Sequence, residues 1–220
     1  MAAHGMSEDL NRGLDTVIEG RRTVRSFTDE APQAEQVEQV IRAGLLAPYA
    51  GLAVRAGDLF RRFFVIPRGS SAVARAEAII RPQVAGSSAA MEKAMAGDAE
   101  FREKAGPFAE RLRVIAEGAP VGFEDVPYWI VAAEQKGFPP AEARSLAHVM
   151  QNMWLKATAL GLGFRLISVV TQMGDNEEFC AILGIPAGRF GLDSCVIGYA
   201  QAMPEPTWRP SMEEAVAWLD

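Results

Sequence analysis

The order of strand-like and helical segments is the sequence feature that most constrains the fold of this chain. Three segments have the aromatic and β-branched composition of strands: Leu59 to Ile66, Val126 to Ala133 and Cys195 to Tyr199. Long helical stretches separate them, without the regular alternation of strand and helix that a Rossmann unit requires. The sequence therefore predicts an α+β fold, formed by a single domain over residues 1–220.

Apolar residues at helical spacing predict where the main helices lie. A first helix begins with Ser7 as its N-cap and ends at Gly20, and a second follows Pro32 and ends before Pro48. The strongest pattern runs from about Pro140 to Leu160, and its inward residues are predicted to be Leu146, Val149, Met150, Met153, Trp154 and Ala157. In the first helix Leu10, Leu14, Val17 and Ile18 fall on one face at helical spacing, and in the second Val37, Val40, Ile41 and Leu45 are predicted to point inward.

Residues 70–118 form an alanine-rich stretch that predicts two or three helices. Gly86 to Ser88 and Ala96 to Asp98 are the places where breaks are expected. Further along, Asp175 is predicted to cap a short helix, with Glu178 as its capping-box partner. The chain closes with residues 201–220, a proline-rich segment and an amphipathic helix of a kind that often wraps a partner subunit.

Charge and composition narrow the class of protein. The formal net charge of −6 argues against a nucleic-acid partner, since such a protein needs a basic surface. No apolar run reaches the roughly 18 residues of a membrane helix, and the N-terminus does not resemble a signal peptide. Cys180 and Cys195 match no zinc or redox spacing. The expectation is a soluble, cytoplasmic protein.

Few side chains of the sequence suit direct acid–base or metal chemistry. His4 and His148 are the only histidines, and no catalytic triad, Walker A or clustered metal-ligand spacing occurs. Gly161 and Gly163 follow a helix and have no third glycine in register, so they are not a dinucleotide fingerprint. A chain of this kind that performs chemistry usually borrows a cofactor.

The best positive signal is a short basic segment that includes Arg21, Arg22, Thr23 and Arg25. Three guanidinium groups so close together repel one another, and a compact anion between them would stabilise the arrangement. Arginine forks and a threonine hydroxyl suit the oxygens of a phosphate group. The alternatives are a solvated basic stretch, or arginines that pair with Glu19, Asp29 and Glu30.

Six blocks, in order along nearly the whole chain, resemble the FMN-dependent nitroreductase family. The first is similar to the family's N-terminal signature, Ile-x-x-Arg-Arg-Ser-Val-Arg-x-Phe, and the third to its central helix with a Gly-Leu-Gly end. The blocks are Ile18 to Phe27, Arg42 to Gly51, Gln151 to Gly163, Leu183 to Pro186, Val196 to Tyr199 and Trp208 to Pro210.

This resemblance implies a fold, an assembly and a cofactor. It implies a central, mainly antiparallel sheet flanked by helices, and a homodimer with C-terminal arms exchanged and two FMN sites at the interface. Residues 70–118 occupy the region where the family varies most, and they would be a helical insertion or lid that shapes access to the site.

The resemblance also implies which residues hold FMN. Arg21, Arg22 and Thr23 match the positions that bind the phosphate and ribityl chain, with Arg25 close by, and Arg209 matches a C-terminal arginine that reaches the phosphate. The remaining matches lie beside the isoalloxazine ring: Pro48, Tyr49 and Ala50 of the partner's loop, and backbone near flavin N5 around Ile167 and Ser168.

The implied activity is an oxidoreductase in which NAD(P)H delivers hydride to flavin N5 and a nitroaromatic or quinone is then reduced. Tyr49 stands at the family's serine position and Leu52 at its asparagine position. Tyr49 would either stack over the ring or fill the gap beside it. These departures motivate an alternative, a flavin-binding protein with little turnover. Arg165 would either counter the charge of reduced flavin or form a surface ion pair, and Trp154 is interpreted as core or dimer packing.

Overall fold

The computed structural model describes residues 7–49 and 59–219. Its helices are α1 (Glu8–Gly20), α2 (Ala34–Leu45), α3 (Ser71–Gly97), α4 (Ala99–Ala116), α5 (Glu142–Ala159), α6 (Glu177–Leu183) and α7 (Met212–Ala215). Its strands are β1 (Arg61–Pro67), β2 (Tyr128–Gln135), β3 (Gly163–Leu166) and β4 (Phe190–Gly198), and a 3₁₀ helix spans Ser168–Gln172.

The four strands form one antiparallel sheet with the order β1-β2-β4-β3. The predicted α+β fold with a mainly antiparallel sheet is therefore confirmed. Strands β2 and β4 lie in the middle, and almost every residue of β2 is buried. Such near-continuous apolar strands are expected where helices cover both faces of a sheet.

Alternate residues of the central strands feed two separate cores. On one face, Trp129 and Val131 pack with α3, α6 and the 3₁₀ helix. On the other face, Ile130 and Ala132 pack with α2 and α5. The predicted inward face of α5 is confirmed, because all of its members are buried: Leu146, Val149, Met150, Met153, Trp154 and Ala157.

Several local predictions were correct and others were wrong. Ser7 caps α1 by accepting a hydrogen bond from the Leu10 N–H. The cap of α6 is Asn176 rather than Asp175, because the Asn176 side chain accepts the Phe179 N–H at 2.8 Å. Gly184 ends α6 with a φ of 63°, a left-handed conformation that suits glycine.

The sheet has one strand more than the sequence predicted, and β4 is longer than predicted. β4 begins at Phe190 rather than Cys195, and β3 was not predicted at all. β3 has only four residues and its pairing with β4 is nonlocal, so no local pattern distinguishes it from the turn that precedes it. α3 runs unbroken through Gly86 to Ser88, while the break at Gly97 and Asp98 is confirmed.

The apolar face of α1 is largely exposed in this chain. No residue of α1 is buried, and Leu10, Leu14 and Ile18 are 60%, 45% and 50% exposed. In α2, Val37 and Val40 are buried as predicted, whereas Leu45 is exposed. Within the described residues, no helix is both long and apolar enough to cross a membrane.

Candidate functional site

Arg21 and the residues that follow it leave α1 as an extended segment beside strand β3. Arg21 has φ −61° and ψ 125°, Thr23 forms a parallel bridge with Phe164, and the Val24 N–H donates to the Phe164 carbonyl at 3.1 Å. Side chains alternate along an extended segment, so the burial of Val24 directs its neighbours Thr23 and Arg25 away from the core. The backbone of the basic motif is thus fixed by the sheet.

The guanidinium of Arg21 lies on the ring of Trp154, 4.4 Å from the ring centroid. The Trp154 indole also donates from Nε1 to the Arg22 carbonyl at 3.1 Å and stacks on Phe164 at 5.0 Å. The core interpretation of Trp154 is therefore confirmed, but its support of Arg21 was missed. The signal was available in the spacing of α5, which places an aromatic ring on the face that meets the basic segment.

Positive charges collect around Arg21 without a carboxylate partner in the described part of the chain. Burial, followed by the charges of Arg209 and Arg22, lowers the pKa of Arg21. Arg22 donates to the Glu19 carbonyl at 2.6 Å, and Arg209 donates to the carbonyl of Trp208. The alternative in which carboxylates neutralise this segment does not fit, and the donor set suits a phosphate.

A second group of predicted residues lines a cavity of about 980 Å³, which includes Arg25, Ile167 and Ser168. Ile167 is held from both sides, since its N–H donates to the Ser194 carbonyl at 2.9 Å and its carbonyl accepts the Ser194 hydroxyl at 3.0 Å. The 3₁₀ helix begins at the next residue, so the N–H groups of Ser168 and Val169 have no acceptor within that helix. Val169 also lines the cavity and was not singled out from the sequence.

The extended segment limits the distance between the arginine cluster at Arg21 and the cavity that begins at Arg25. Arg21 and Arg25 are four residues apart, which corresponds to at most about 14 Å. A ligand with an anionic end and a flat ring on a short linker is compatible with that span.

Pro48 and Tyr49 lie at the other end of the sheet from the cavity. The Tyr49 hydroxyl donates to the Gln135 carbonyl at 3.3 Å, and its ring lies 4.5 Å from Phe60. Arg61 donates to the Pro48 carbonyl at 3.3 Å. Neither Pro48 nor Tyr49 lines the cavity of its own chain, and Ala50 and Leu52 lie outside the described residues.

Arg165 makes no ion pair with any described residue, so the expected surface ion pair was wrong. Its guanidinium instead donates to the carbonyls of Gly122 and Arg25 and lies 6.0 Å from the centroid of the Phe27 ring. Its position in β3 directs it to the wall of the cavity.

Comparison with known proteins gives one family. A model of the nitroreductase family matches residues 18–200. A search of curated proteins found no match.

Several solved structures are similar over almost the whole chain. A nitroreductase with bound FMN from Bacteroides fragilis is 17% identical with a TM-score of 0.64, over 98% of this chain and 100% of that one. A nitroreductase with bound FMN from Desulfitobacterium hafniense is 22% identical with a TM-score of 0.65, over 94% and 98%. A nitroreductase-like family protein from Bacillus cereus is 20% identical with a TM-score of 0.57, over 100% and 99%. The fold, the order of the motifs and the family match agree, and the chain belongs to the nitroreductase family.

Proposed function

We propose that this chain is an FMN-dependent oxidoreductase that takes reducing equivalents from NAD(P)H and passes them to a small organic acceptor such as a nitroaromatic or quinone. The observation that carries the proposal is the cluster of Arg21, Arg22 and Arg209, without a neutralising carboxylate in the described ranges and joined by an extended segment to a large cavity. Family membership and the bound FMN of two similar structures support it.

In this proposal the phosphate of FMN binds between Arg21 and Arg209, with Arg22 and the Thr23 hydroxyl beside it. Trp154 holds the Arg21 guanidinium in place, so less side-chain entropy is lost when the phosphate binds. A dianionic phosphate would offset both the desolvation of the Arg21 guanidinium and the repulsion from Arg209 and Arg22.

The ring end of the cofactor is assigned to the cavity, beside Arg25, Ile167 and Ser168. Bound FMN would supply the redox chemistry by accepting hydride at N5 from NAD(P)H and delivering it to the acceptor. The chain's own part is to position that ring, with the N–H groups of Ser168 and Val169 as fixed donors and Arg25 as a nearby positive charge.

The functional unit is proposed to be a homodimer in which residues 201–220 are exchanged as arms. Large apolar side chains that are exposed in the single chain support this, among them Leu10 and Leu14 of α1 and Trp208 and Trp218 of the tail. The loop of Pro48, Tyr49 and Ala50 would then lie beside the ring bound mainly by the partner subunit. Residues 70–118 would act as a lid over the same site.

The visible spectrum of the purified protein, with the released pigment identified after denaturation, tests the cofactor assignment. Stoichiometric FMN is expected, and a colourless protein that takes up no added FMN would remove the enzyme function. Anaerobic mixing with NADH and with NADPH then tests turnover. Rapid bleaching of the flavin is expected, whereas slow bleaching by both would favour the flavin-binding protein with little turnover.

A further inference from the structure

A tight turn between α4 and β2 holds two guanidinium groups on consecutive backbone carbonyls. Arg111 of α4 donates to the carbonyls of Pro120 at 3.2 Å and Val121 at 3.5 Å. Arg165 of β3 donates to the carbonyl of the next residue, Gly122. Both arginines line the cavity that is assigned to the flavin ring. Two separate elements thus bring like charges to one place on its wall.

The carboxylate whose charge acts on Arg165, Glu124, already accepts other hydrogen bonds. Glu124 accepts the N–H groups of Val121, Gly122 and Phe123 at 2.7, 2.7 and 2.8 Å. No carboxylate of the described residues lies within salt-bridge distance of Arg111 or Arg165. Around the whole cavity, the charges of Arg25, Arg111 and Arg165 outnumber those of Glu124 and Asp125.

Burial strengthens the repulsion among these positive charges, because little solvent screens them. Desolvation, then the charges of Arg111 and Arg25, lower the pKa of Arg165, and Glu124 opposes this only in part. The Arg165 Nε has no hydrogen-bond partner among the described residues. An anion at this point would relieve the repulsion between the two guanidinium groups.

Gly122 lets the Arg165 guanidinium lie directly against the backbone of the turn, with no ligand bound. Its φ is 124°, and an added Cβ would lie 2.6 Å from the Arg165 guanidinium. The arginine is therefore held against the backbone in advance, which reduces the entropy lost on binding.

The rest of the cavity wall suits a flat apolar group, since it includes Val84, Met91, Phe108, Leu112 and Val169. We infer that the acceptor reduced in this cavity carries an anionic group, such as a carboxylate on an aromatic ring, and that Arg111 and Arg165 bind that group. The inference rests on the proposed function, and it deepens that function by naming the class of acceptor.

Calorimetric titration of FMN-loaded protein with 4-nitrobenzoate and with 4-nitrobenzamide tests this directly. The two compounds share a ring and a nitro group and differ in charge. The carboxylate is expected to bind about ten-fold more tightly than the amide. Arg111→Gln is expected to remove most of that preference. Lys104→Gln, which removes a charge from the exposed side of the same helix, is expected to retain it.

Each outcome separates this inference from the proposed function. Protein that takes up no FMN contradicts the proposed function. Loaded protein that binds both compounds equally, or an Arg111→Gln variant that retains the preference, overturns the inference alone. A variant whose KM rises for NADPH but not for NADH, with the carboxylate preference intact, would assign the two arginines to the phosphate of the reductant and would also overturn it.

Discussion

The α2–α5 layer and the α3–α4 hairpin cover opposite faces of the same sheet but are held very differently. α5 buries residues from Ser145 to Ala157 and touches three strands. The hairpin is anchored only near its base, where α3 buries residues up to Ser88 and α4 buries Ala109 and Ile115. Between 89 and 108 no residue is buried.

This difference separates the two tasks assigned to the protein. Trp154 belongs to the tightly packed layer and supports the arginine assigned to the FMN phosphate. Arg111 and Phe108 belong to the hairpin and line the cavity assigned to the acceptor. In the proposed function, the anchor of the cofactor would therefore lie on the well-packed half, and the selection of the acceptor on the half with few buried contacts.

The largest effect is expected at the buried ion pair beneath the α2–α5 layer. Arg61 contacts Glu134 at 2.6 Å with both side chains almost fully buried, and it also donates to the Ala47 carbonyl at 2.7 Å. Glu134→Ala leaves that charge uncompensated and should cost about 3–5 kcal/mol of unfolding free energy, measured by urea denaturation. Asp29→Ala, which breaks the exposed pair with Arg68, should cost at most about 1 kcal/mol. Equal losses would contradict the comparison.

Truncation of a large side chain to alanine should lower the unfolding free energy more in the α2–α5 layer than in the α3–α4 hairpin. Met153 is fully buried, and Met153→Ala should lower the unfolding free energy by about 2–5 kcal/mol. Phe101 of the hairpin is 38% exposed, and Phe101→Ala should cost less than about 1 kcal/mol. A Phe101 variant as damaging as the Met153 variant would show that the hairpin is packed more firmly than the single chain indicates.

Strand β4, which packs against α5, also contains a carboxylate whose ionisation opposes folding. Burial raises the pKa of Asp193 from 3.8 to about 6, so the folded chain binds the proton more readily than the unfolded chain. The stability of the native state should therefore fall as pH rises from about 4 to about 7. Asp193→Asn should raise the unfolding free energy by up to about 3 kcal/mol relative to the wild-type chain. This stabilisation should grow as the pH rises from about 4 to about 7. A gain that is constant with pH would exclude the linkage.

Alanine substitutions at two glycines on the hairpin side should give smaller changes in stability, and the two changes should have opposite signs. Gly122→Ala should cost about 1–3 kcal/mol, because its φ of 124° and the close guanidinium leave no room for a Cβ. Gly86 lies within α3 with open space around it, so Gly86→Ala should add about 0.5–1 kcal/mol. Unfolding curves of the two variants should move in opposite directions, and shifts of the same sign would reject this account of the turn.

Local sequence patterns were sufficient to predict features that depend on a single helix, such as its buried face or its cap. The inward residues of α5 and the cap at Ser7 follow from helical periodicity and side-chain chemistry. The order of strand-like and helical segments predicted the fold class, the closely spaced arginines predicted the basic segment around Arg21, and the family blocks added the antiparallel sheet. The position of β3 beyond the glycines was not predictable in this way, because its pairing with β4 is set by residues distant in sequence.

The cavity wall could be predicted only in part, for a related reason. Ile167 and Ser168 were found through a motif, but Arg111, Gly122 and Arg165 come together from three separate segments. No spacing links them in the sequence. The helical spacing of α1 indicated an apolar face, and the structure leaves Leu10, Leu14 and Ile18 on that face exposed.

Titration with FMN and with riboflavin tests the central claim, that the cluster around Arg21 binds the phosphate, most directly. Riboflavin lacks only the phosphate, so the wild-type chain should bind FMN about 100-fold more tightly. Arg21→Ala should reduce that preference by about ten-fold, whereas Arg12→Ala on the exposed surface of α1 should leave it unchanged. Equal affinity of the wild-type chain for both flavins, or an Arg21→Ala variant with an unaltered preference, would contradict the assignment.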